Sequence, residues 1–269
     1  IVSALQVLAI MVREGQTLAK LLGGFEKAPQ ALVNVRLDAT TDRGALMNSE
    51  SLKKAVASVE AELGNEGPSE PLLFIKPATS VTPMDKPLAI SRRRGQYHYE
   101  AELALLIGKP LCEASEAEAL EALAGMGLAL DLTLRERQSK LKAKGQPWEL
   151  AKAFDGSCPL SSFVALEGPR WRDADGELHS VDFQALHYRF AIDGEQRQQA
   201  DTSLMLFPVA RLLSEISHSF TLLPGDVVLT GTPEGVGELN PDQALALALD
   251  APDGSGELLR VETRTRGVA

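Results

Sequence analysis

Glu100 and Glu102 stand two residues apart in His98-Tyr-Glu-Ala-Glu-Leu103, a stretch that reads as an extended strand. Side chains alternate along a strand, so both carboxylates share one face. Two like charges on one face repel, and they need a cation, a shared proton or bulk water between them. Asp131 supplies a third carboxylate, in Ala129-Leu-Asp-Leu132, where its neighbours are apolar. Three oxygen donors suit Mg2+ or Mn2+, with water or substrate completing an octahedron. The plain alternative is a solvated acidic strand face, and the pair taken alone fits either reading.

The residues after Asp131 add to this set. Arg135 and Gln138 follow it by four and seven positions, on one face of an expected helix that points back toward the same end. Lys152 lies in Trp148-Glu-Leu-Ala-Lys152-Ala-Phe-Asp155, mostly apolar surroundings for an ammonium group. It reads either as a site lysine or as one that snorkels to the surface. Leu229-Thr-Gly-Thr-Pro-Glu-Gly-Val-Gly237 runs from a strand into a glycine-rich turn. It lacks the Lys-Ser/Thr pair of a phosphate loop, so it does not imply a nucleotide. The backbone N–H groups at Gly231 and the Thr232 hydroxyl can instead hold a carboxylate. By strand alternation His98 points with Glu100, as a neighbour of the site or a packed side chain. His179, His187 and His218 show no metal-ligand spacing, and no G-x-S-x-G elbow supports a serine nucleophile.

The elements that must position these residues are short. Leu72–Ile75, Tyr99–Ile107, Gly127–Leu132, Ala185–Ile192, Asp226–Thr230 and Ala244–Leu249 read as strands. Ser115 caps a helix to about Ala124, ended by Gly125 and Gly127, and Leu134–Lys144 is helical with Gly145 as its stop. Helical repeats look few and short after residue 145. The fold class is therefore α+β, dominated by β-structure in its second half. Residues 1–66 differ: helical spacing at Val2, Leu5, Leu8 and Val12, an alternating run at Ala31–Leu37, and a helix from Ser49 to about Leu63. They form an α/β segment, closed by Gly64-Asn-Glu-Gly-Pro68, and the expected division is 1–66 and 67–269.

Composition excludes several classes. The chain has 269 residues, with 27 Lys plus Arg against 37 Asp plus Glu and a net charge of −10. Arg92-Arg93-Arg94 is its one basic cluster and reads as a solvated loop, so nucleic acid is not an expected partner. Ala4–Val12 is too short to cross a bilayer, which takes about 20 residues, so no membrane partner is expected. Cys112 and Cys158 form no motif, and a reduced cytoplasmic setting is expected.

Five segments in order and spacing carry a resemblance. Pro71-Leu-Leu-Phe-Ile-Lys-Pro77, Tyr99-Glu-Ala-Glu-Leu103, Asp131 with Arg135 and Gln138, Ala151-Lys-Ala-Phe-Asp155 and Gly231-Thr-Pro-Glu-Gly-Val-Gly237 resemble the fumarylacetoacetate hydrolase family. The resemblance spans about residues 68–269, and the nearer likeness is to small bacterial members related to acylpyruvate hydrolases and oxaloacetate decarboxylases. It implies a mixed β-roll, a homodimer, and a Mg2+ or Mn2+ site on Glu100, Glu102 and Asp131. Lys152, Gln138, Arg135, Thr232 and Gly231 would face a small 2-oxo acid. The implied reactions are acylpyruvate-type hydrolysis, oxaloacetate decarboxylation and keto–enol isomerisation.

One departure matters. The family normally carries Gly-x-Asn-Tyr-x-x-His-x-x-Glu, whose histidine and a lid glutamate activate water. In that alignment Ala55 and Val56 replace Asn and Tyr, Val59 replaces the histidine, and only Glu62 matches, as a catalytic candidate. Valine cannot take a proton, so the hydrolytic step loses its base. The rival expectation is a metal-binding remnant without turnover. Ala4–Val12, Gly15-Gln16, Pro29–Arg36 and Val56–Leu63 resemble the end of phosphoglucosamine mutase, which implies a chimera with its junction near residues 64–72.

Overall fold

The computed structural model describes residues 69–268 apart from 174 and 253, which fall in the unit Glu70–Ala269 but for its first residue. The α/β segment expected over residues 1–66, with Val59 and Glu62, lies outside the described residues. In chain order the elements begin with β1 (Val81–Pro83), β2 (Leu88–Ser91), β3 (Tyr97–Tyr99), β4 (Ala101–Ile107), α1 (Glu116–Glu121) and β5 (Leu123–Leu130). Next come β6 (Thr133–Leu134), α2 (Arg135–Ala143), α3 (Glu149–Lys152), β7 (Cys158–Leu160), β8 (Val164–Ala165) and the hairpin β9 (Arg170–Arg172) and β10 (Leu178–Ser180). The last are β11 (His187–Ile192), β12 (Glu195–Asp201), α4 (Val209–Ser219), β13 (Val227–Leu229), β14 (Gly237–Leu239), β15 (Ala244–Asp250) and β16 (Glu257–Val268).

Two mixed sheets carry the fold, as the α+β β-roll reading expects. One has the order β1-β7-β5-β4-β13 with β8 added beside β5, and the other runs β12-β11-β15-β16-β2. A small third sheet, β14-β3-β6, stands where the chain enters β4. β4 reads Ala-Glu-Leu-Ala-Leu-Leu-Ile and is buried along nearly its whole length, apolar but for Glu102, as in a strand covered on both faces. Its Leu103, Leu105 and Ile107 join Leu128 and Leu130 of β5, Phe190 and Ile192 of β11, and Leu245, Leu247 and Leu249 of β15 in one core.

Several elements differ from the sequence reading. Leu72–Ile75 forms no strand: Leu72 is 70% and Ile75 59% exposed. Pro71 and Pro77 bracket the segment and have no N–H to give a ladder. The helix capped by Ser115 is confirmed with a full capping box against Glu118, but it ends at Glu121 rather than near Ala124. β5 claims Leu123 by pairing it with Ile107, so Gly125 and Gly127 lie inside a strand and stop no helix. Their use is close approach. A Cβ on Gly127 would lie 2.9 Å from both the Ser161 hydroxyl and the Ser162 carbonyl oxygen. α4 is an element the sequence reading lacks, although Val209, Leu212, Leu213 and Ile216 recur at helical spacing and are buried there, against α1. α2 ends near Gly145, which takes φ +60°, as expected.

Gly127→Ala is therefore expected to destabilise the fold by about 1–3 kcal/mol, the usual cost of forcing a methyl into a filled space. Urea unfolding followed by circular dichroism measures it. An unchanged midpoint would show that the β8 side yields freely.

A buried acidic cluster as candidate metal centre

The register of two strands builds this site. Ala101 of β4 pairs with Leu130 of β5, so the residues just outside that pair, Glu100 and Asp131, meet across the strands. The Asp131 N–H donates to the Glu100 carbonyl at 2.8 Å and fixes them there. Glu102, two residues along β4, lies on the same face as Glu100. One oxygen from each carboxylate can be chosen so that all three lie within 4.8 Å of one another. Glu100, Glu102 and Asp131 are 8%, 5% and 1% exposed, which rules out the solvated acidic face.

Three cations enter from three other segments. Lys152, at the end of α3, donates to Glu100 Oε2 at 2.7 Å and to Asp131 Oδ2. It is 3% exposed and so does not snorkel. Arg135, the first residue of α2, bonds Glu100 Oε1 with one amino group and Gln138 Oε1 at 2.8 Å with the other. Lys76 sits 2.7 Å from Asp131 Oδ1 and also donates to the carbonyls of Lys152 and Ser157. The sequence reading assigns Lys76 no role. Its signal is the one that singles out Lys152, a lysine closing an apolar run.

Gly231 and Thr232 approach from the turn after β13. The Gly231 N–H donates to Glu102 Oε2 at 2.6 Å, so it does hold a carboxylate, one belonging to the protein. The Thr232 hydroxyl donates to the Ala101 carbonyl at 2.8 Å and accepts from Gln198 at 2.9 Å. The structure thus brings together Glu100, Glu102, Asp131, Lys152, Arg135 and Gln138, with Gly231 and Thr232 behind Glu102. Phe74 stands with its ring 5.1 Å from the Lys152 ammonium, and Trp148 packs beside it. His98 lies next to Glu100 in space and two residues before it in sequence, with a buried Nδ1 that has no hydrogen-bond partner; burial and the Arg135 charge hold its imidazole below the ordinary 6.5.

Charge divides the three carboxyls. Burial would raise Glu100, but the Lys152 and Arg135 charges outweigh it and keep that carboxyl below the usual range. Burial raises Asp131, and Lys76 and Lys152 only partly oppose it. Glu102 is pushed up to about 8, first by burial and then by the Asp131 charge. Buried oxygen donors converging in this way fit a hard divalent cation. Asp131 Oδ1 strengthens the fit: it is buried and receives no directed hydrogen bond, since Lys76 meets it as an ion pair off the hydrogen-bonding direction.

A mixed β-roll holding a buried Glu-x-Glu pair and an aspartate defines a class of metal-dependent enzymes on this fold. The chain belongs to it: residues 43–262 match the family described as Fumarylacetoacetate (FAA) hydrolase C-terminal. Its relatives are named enzymes. The oxaloacetate tautomerase YcgM of Escherichia coli (strain K12) is 46% identical over 189 residues, which are 70% of this chain and 82% of that protein. The mitochondrial oxaloacetate decarboxylase of Dictyostelium discoideum is 37% identical over 193 residues, 71% of this chain and 84% of the relative. Among solved structures, a fumarylpyruvate hydrolase from Pseudomonas aeruginosa in complex with Mn2+ and pyruvate superposes with a TM-score of 0.63 at 33% identity. That match covers 78% of this chain and 84% of the other. Among the described residues no helix is long and apolar enough to cross a membrane.

The raised Glu102 carboxyl has a sign that can be tested. An ordinary glutamate titrates near 4.5, so between there and about 8 the folded chain keeps a proton that the unfolded chain releases. This group's contribution to stability is full below pH 4.5 and is lost as pH rises through about 8. A divalent cation must displace that proton. The rise in melting temperature on adding Mn2+ is therefore expected to grow from about pH 6 to about pH 8.5. Thermal melts with and without Mn2+ read it, and Glu102→Gln should suppress the rise. A shift independent of pH would contradict the protonated Glu102.

Proposed function

We propose that the chain catalyses keto–enol tautomerisation of oxaloacetate, using a divalent cation held by Glu100, Glu102 and Asp131. The observation that carries the reading is the cluster of three buried carboxylates with Lys152 in direct contact with two of them. The names of the relatives, an oxaloacetate tautomerase foremost, support the choice of substrate. Charge supports it too. With Lys76, Lys152 and Arg135 already balancing the three carboxylates, a divalent cation leaves an excess of two positive charges, which suits a dianionic dicarboxylate.

The cation, Mg2+ or Mn2+, would supply a Lewis acid that draws electron density from a substrate carbonyl oxygen. The protein's own groups do the rest. In the enol-to-keto direction the Lys152 ammonium gives a proton to C3, and the amine left behind takes up the proton lost from the enol oxygen, with the contacts to Glu100 and Asp131 holding Nζ in place. Gln138, steadied through its Oε1 by Arg135, donates its amide N–H to a substrate oxygen. Arg135, about 30% exposed, faces the outer side of the cluster and receives a substrate carboxylate. Phe74, its ring beside the ammonium, shields Lys152 from water, and Trp148 backs that ring.

Hydrolysis of acylpyruvates is the weaker reading. It needs a base for the attacking water, and position 59 is a valine. Tautomerisation and decarboxylation need no water. Decarboxylation of oxaloacetate is the second reading, favoured by the named activity of the Dictyostelium relative. For residues 1–66 the proposal is a mutase-like graft, supported by the sequence likeness, with the hydrolase-family match overlapping it from residue 43; the chain from residue 67 onward, expressed alone, should then bind Mn2+ as the whole chain does.

The test follows the ultraviolet absorbance of enol-oxaloacetate with Mg2+, Mn2+ or excess chelator. Metal-dependent loss of the enol above the metal-only rate, abolished in Asp131→Ala, is the expected result. Lys152→Met should lower kcat by about 10²- to 10⁴-fold, the range of a positioned acid–base group. Acetylpyruvate should persist. Its cleavage would show that another residue activates water, and no turnover of either compound would leave the remnant.

A further inference from the structure

β13 stops short of the residues that matter most. Its last registered pair is Leu229 with Ala104, and beyond it the chain turns through Thr230–Gly235. The free edge of β4 is closed piece by piece instead. The Thr230 N–H and hydroxyl reach the Leu103 carbonyl at 3.2 and 3.1 Å, and the Gly231 N–H reaches the Glu102 side chain. The Thr232 hydroxyl bonds the Ala101 carbonyl at 2.8 Å, and the Tyr188 hydroxyl stands 3.3 Å from the same oxygen.

The Ala101 N–H, between the two glutamates, takes its acceptor from the other sheet. Gln198 of β12, 97 residues away, accepts it through Oε1 at 2.9 Å. The same amide donates through Nε2 to the Thr232 hydroxyl at 2.9 Å and to the Pro233 carbonyl at 3.0 Å. Gln198 is 2% exposed and uses both ends of its amide. A second feature brings the turn onto β12. Gly235 has φ +96°, and a Cβ there would lie 2.3 Å from the Arg197 carbonyl oxygen. Only glycine lets the two backbones meet.

We propose that Gln198 is a positioning residue of the acidic cluster. Its amide stands where a strand would, with the acceptor and donor of a peptide group. It ties Ala101 to the Thr232–Pro233 turn, sets the direction of Glu100 and Glu102 on either side, and keeps the Gly231 N–H on Glu102. The inference rests on reading the cluster as a cation site. Glutamate at this position lacks the donor, methionine lacks both functions, and serine cannot span the gap.

Gln198→Met, nearly equal in volume, tests it in the full chain. Mn2+ alone is titrated and the free ion read by electron paramagnetic resonance. The dissociation constant is expected to rise by about 10- to 100-fold, the range seen when groups that orient metal ligands are lost. Circular dichroism should be unchanged, and the rate on oxaloacetate should recover substantially at saturating Mn2+. Ile192→Val, in the core of neighbouring β11, lowers stability and should leave the Mn2+ constant alone. A constant for folded Gln198→Met within about twofold of the parent would overturn the inference and leave the cation site standing, since an orienting group is worth at least about tenfold. A parent chain that binds no Mn2+ overturns both. If Gln198→Met does not fold, Gln198→Asn keeps the amide one methylene short, and an unchanged constant there overturns the inference equally.

Discussion

Three carboxylates buried within one small volume are the constraint on which the rest of this structure depends. Desolvating one ionised carboxylate costs several kcal/mol, and bringing two more beside it adds repulsion to that cost. The chain meets it with Lys76, Lys152 and Arg135, each delivered by a different segment. The compensation is uneven. Glu100 touches two cations and stays ionised, whereas Glu102 has only the Gly231 N–H and a raised carboxyl. The charges balance in number, but none of the three cations makes an ion pair with Glu102.

That need shapes the backbone around it. Glu100 is a one-residue break where the chain leaves the small sheet at β3 and enters the large one at β4. A glutamate at such a corner can point inward while its carbonyl still accepts the Asp131 N–H. α3 is a single turn whose C-terminal residue is Lys152, and Lys76 bonds that residue's carbonyl as well as Ser157. The extended segment at Lys76 and the turn of α3 are thus fastened to each other and to Asp131 by one ammonium group. Loss of Lys76 would cost more than a charge.

How much of this is legible in the sequence depends on whether a signal is local. Strand alternation places Glu100 and Glu102 on one face, and a helical face joins Arg135 to Gln138, since both follow from spacing alone. Asp131 is legible as a charge in apolar text. Lys76 carries the same signal, but a proline beside it makes it look like the end of an element. The strand expected at Leu72–Ile75 fails because apolar composition says nothing about a missing partner, and the prolines deny it one. Gln198 is out of reach. Its partner is 97 residues away, and a glutamine in Glu195-Gln-Arg-Gln-Gln199 looks like its exposed neighbours. β16, the longest strand among the described residues, escapes a sequence reading because its charged, mostly exposed residues leave little apolar signal. α4 is different: at 11 residues it is longer than α2, and its helical periodicity is present in the sequence, so it is legible there although the sequence reading lacks it.

The relatives of this chain are named for a tautomerase, a decarboxylase and a hydrolase, and one acidic cluster can serve all three. Each reaction withdraws electrons toward a carbonyl beside the carbon that changes, so on the proposed reading one cation, lysine and amide would serve that part of all three. They part company at what attacks or leaves. Hydrolysis alone needs an attacking water and a base to prepare it, a demand the three carboxylates and their cations do not by themselves meet. On the proposed reading, the valine at position 59 removes that one reaction and leaves the electron-withdrawing centre whole.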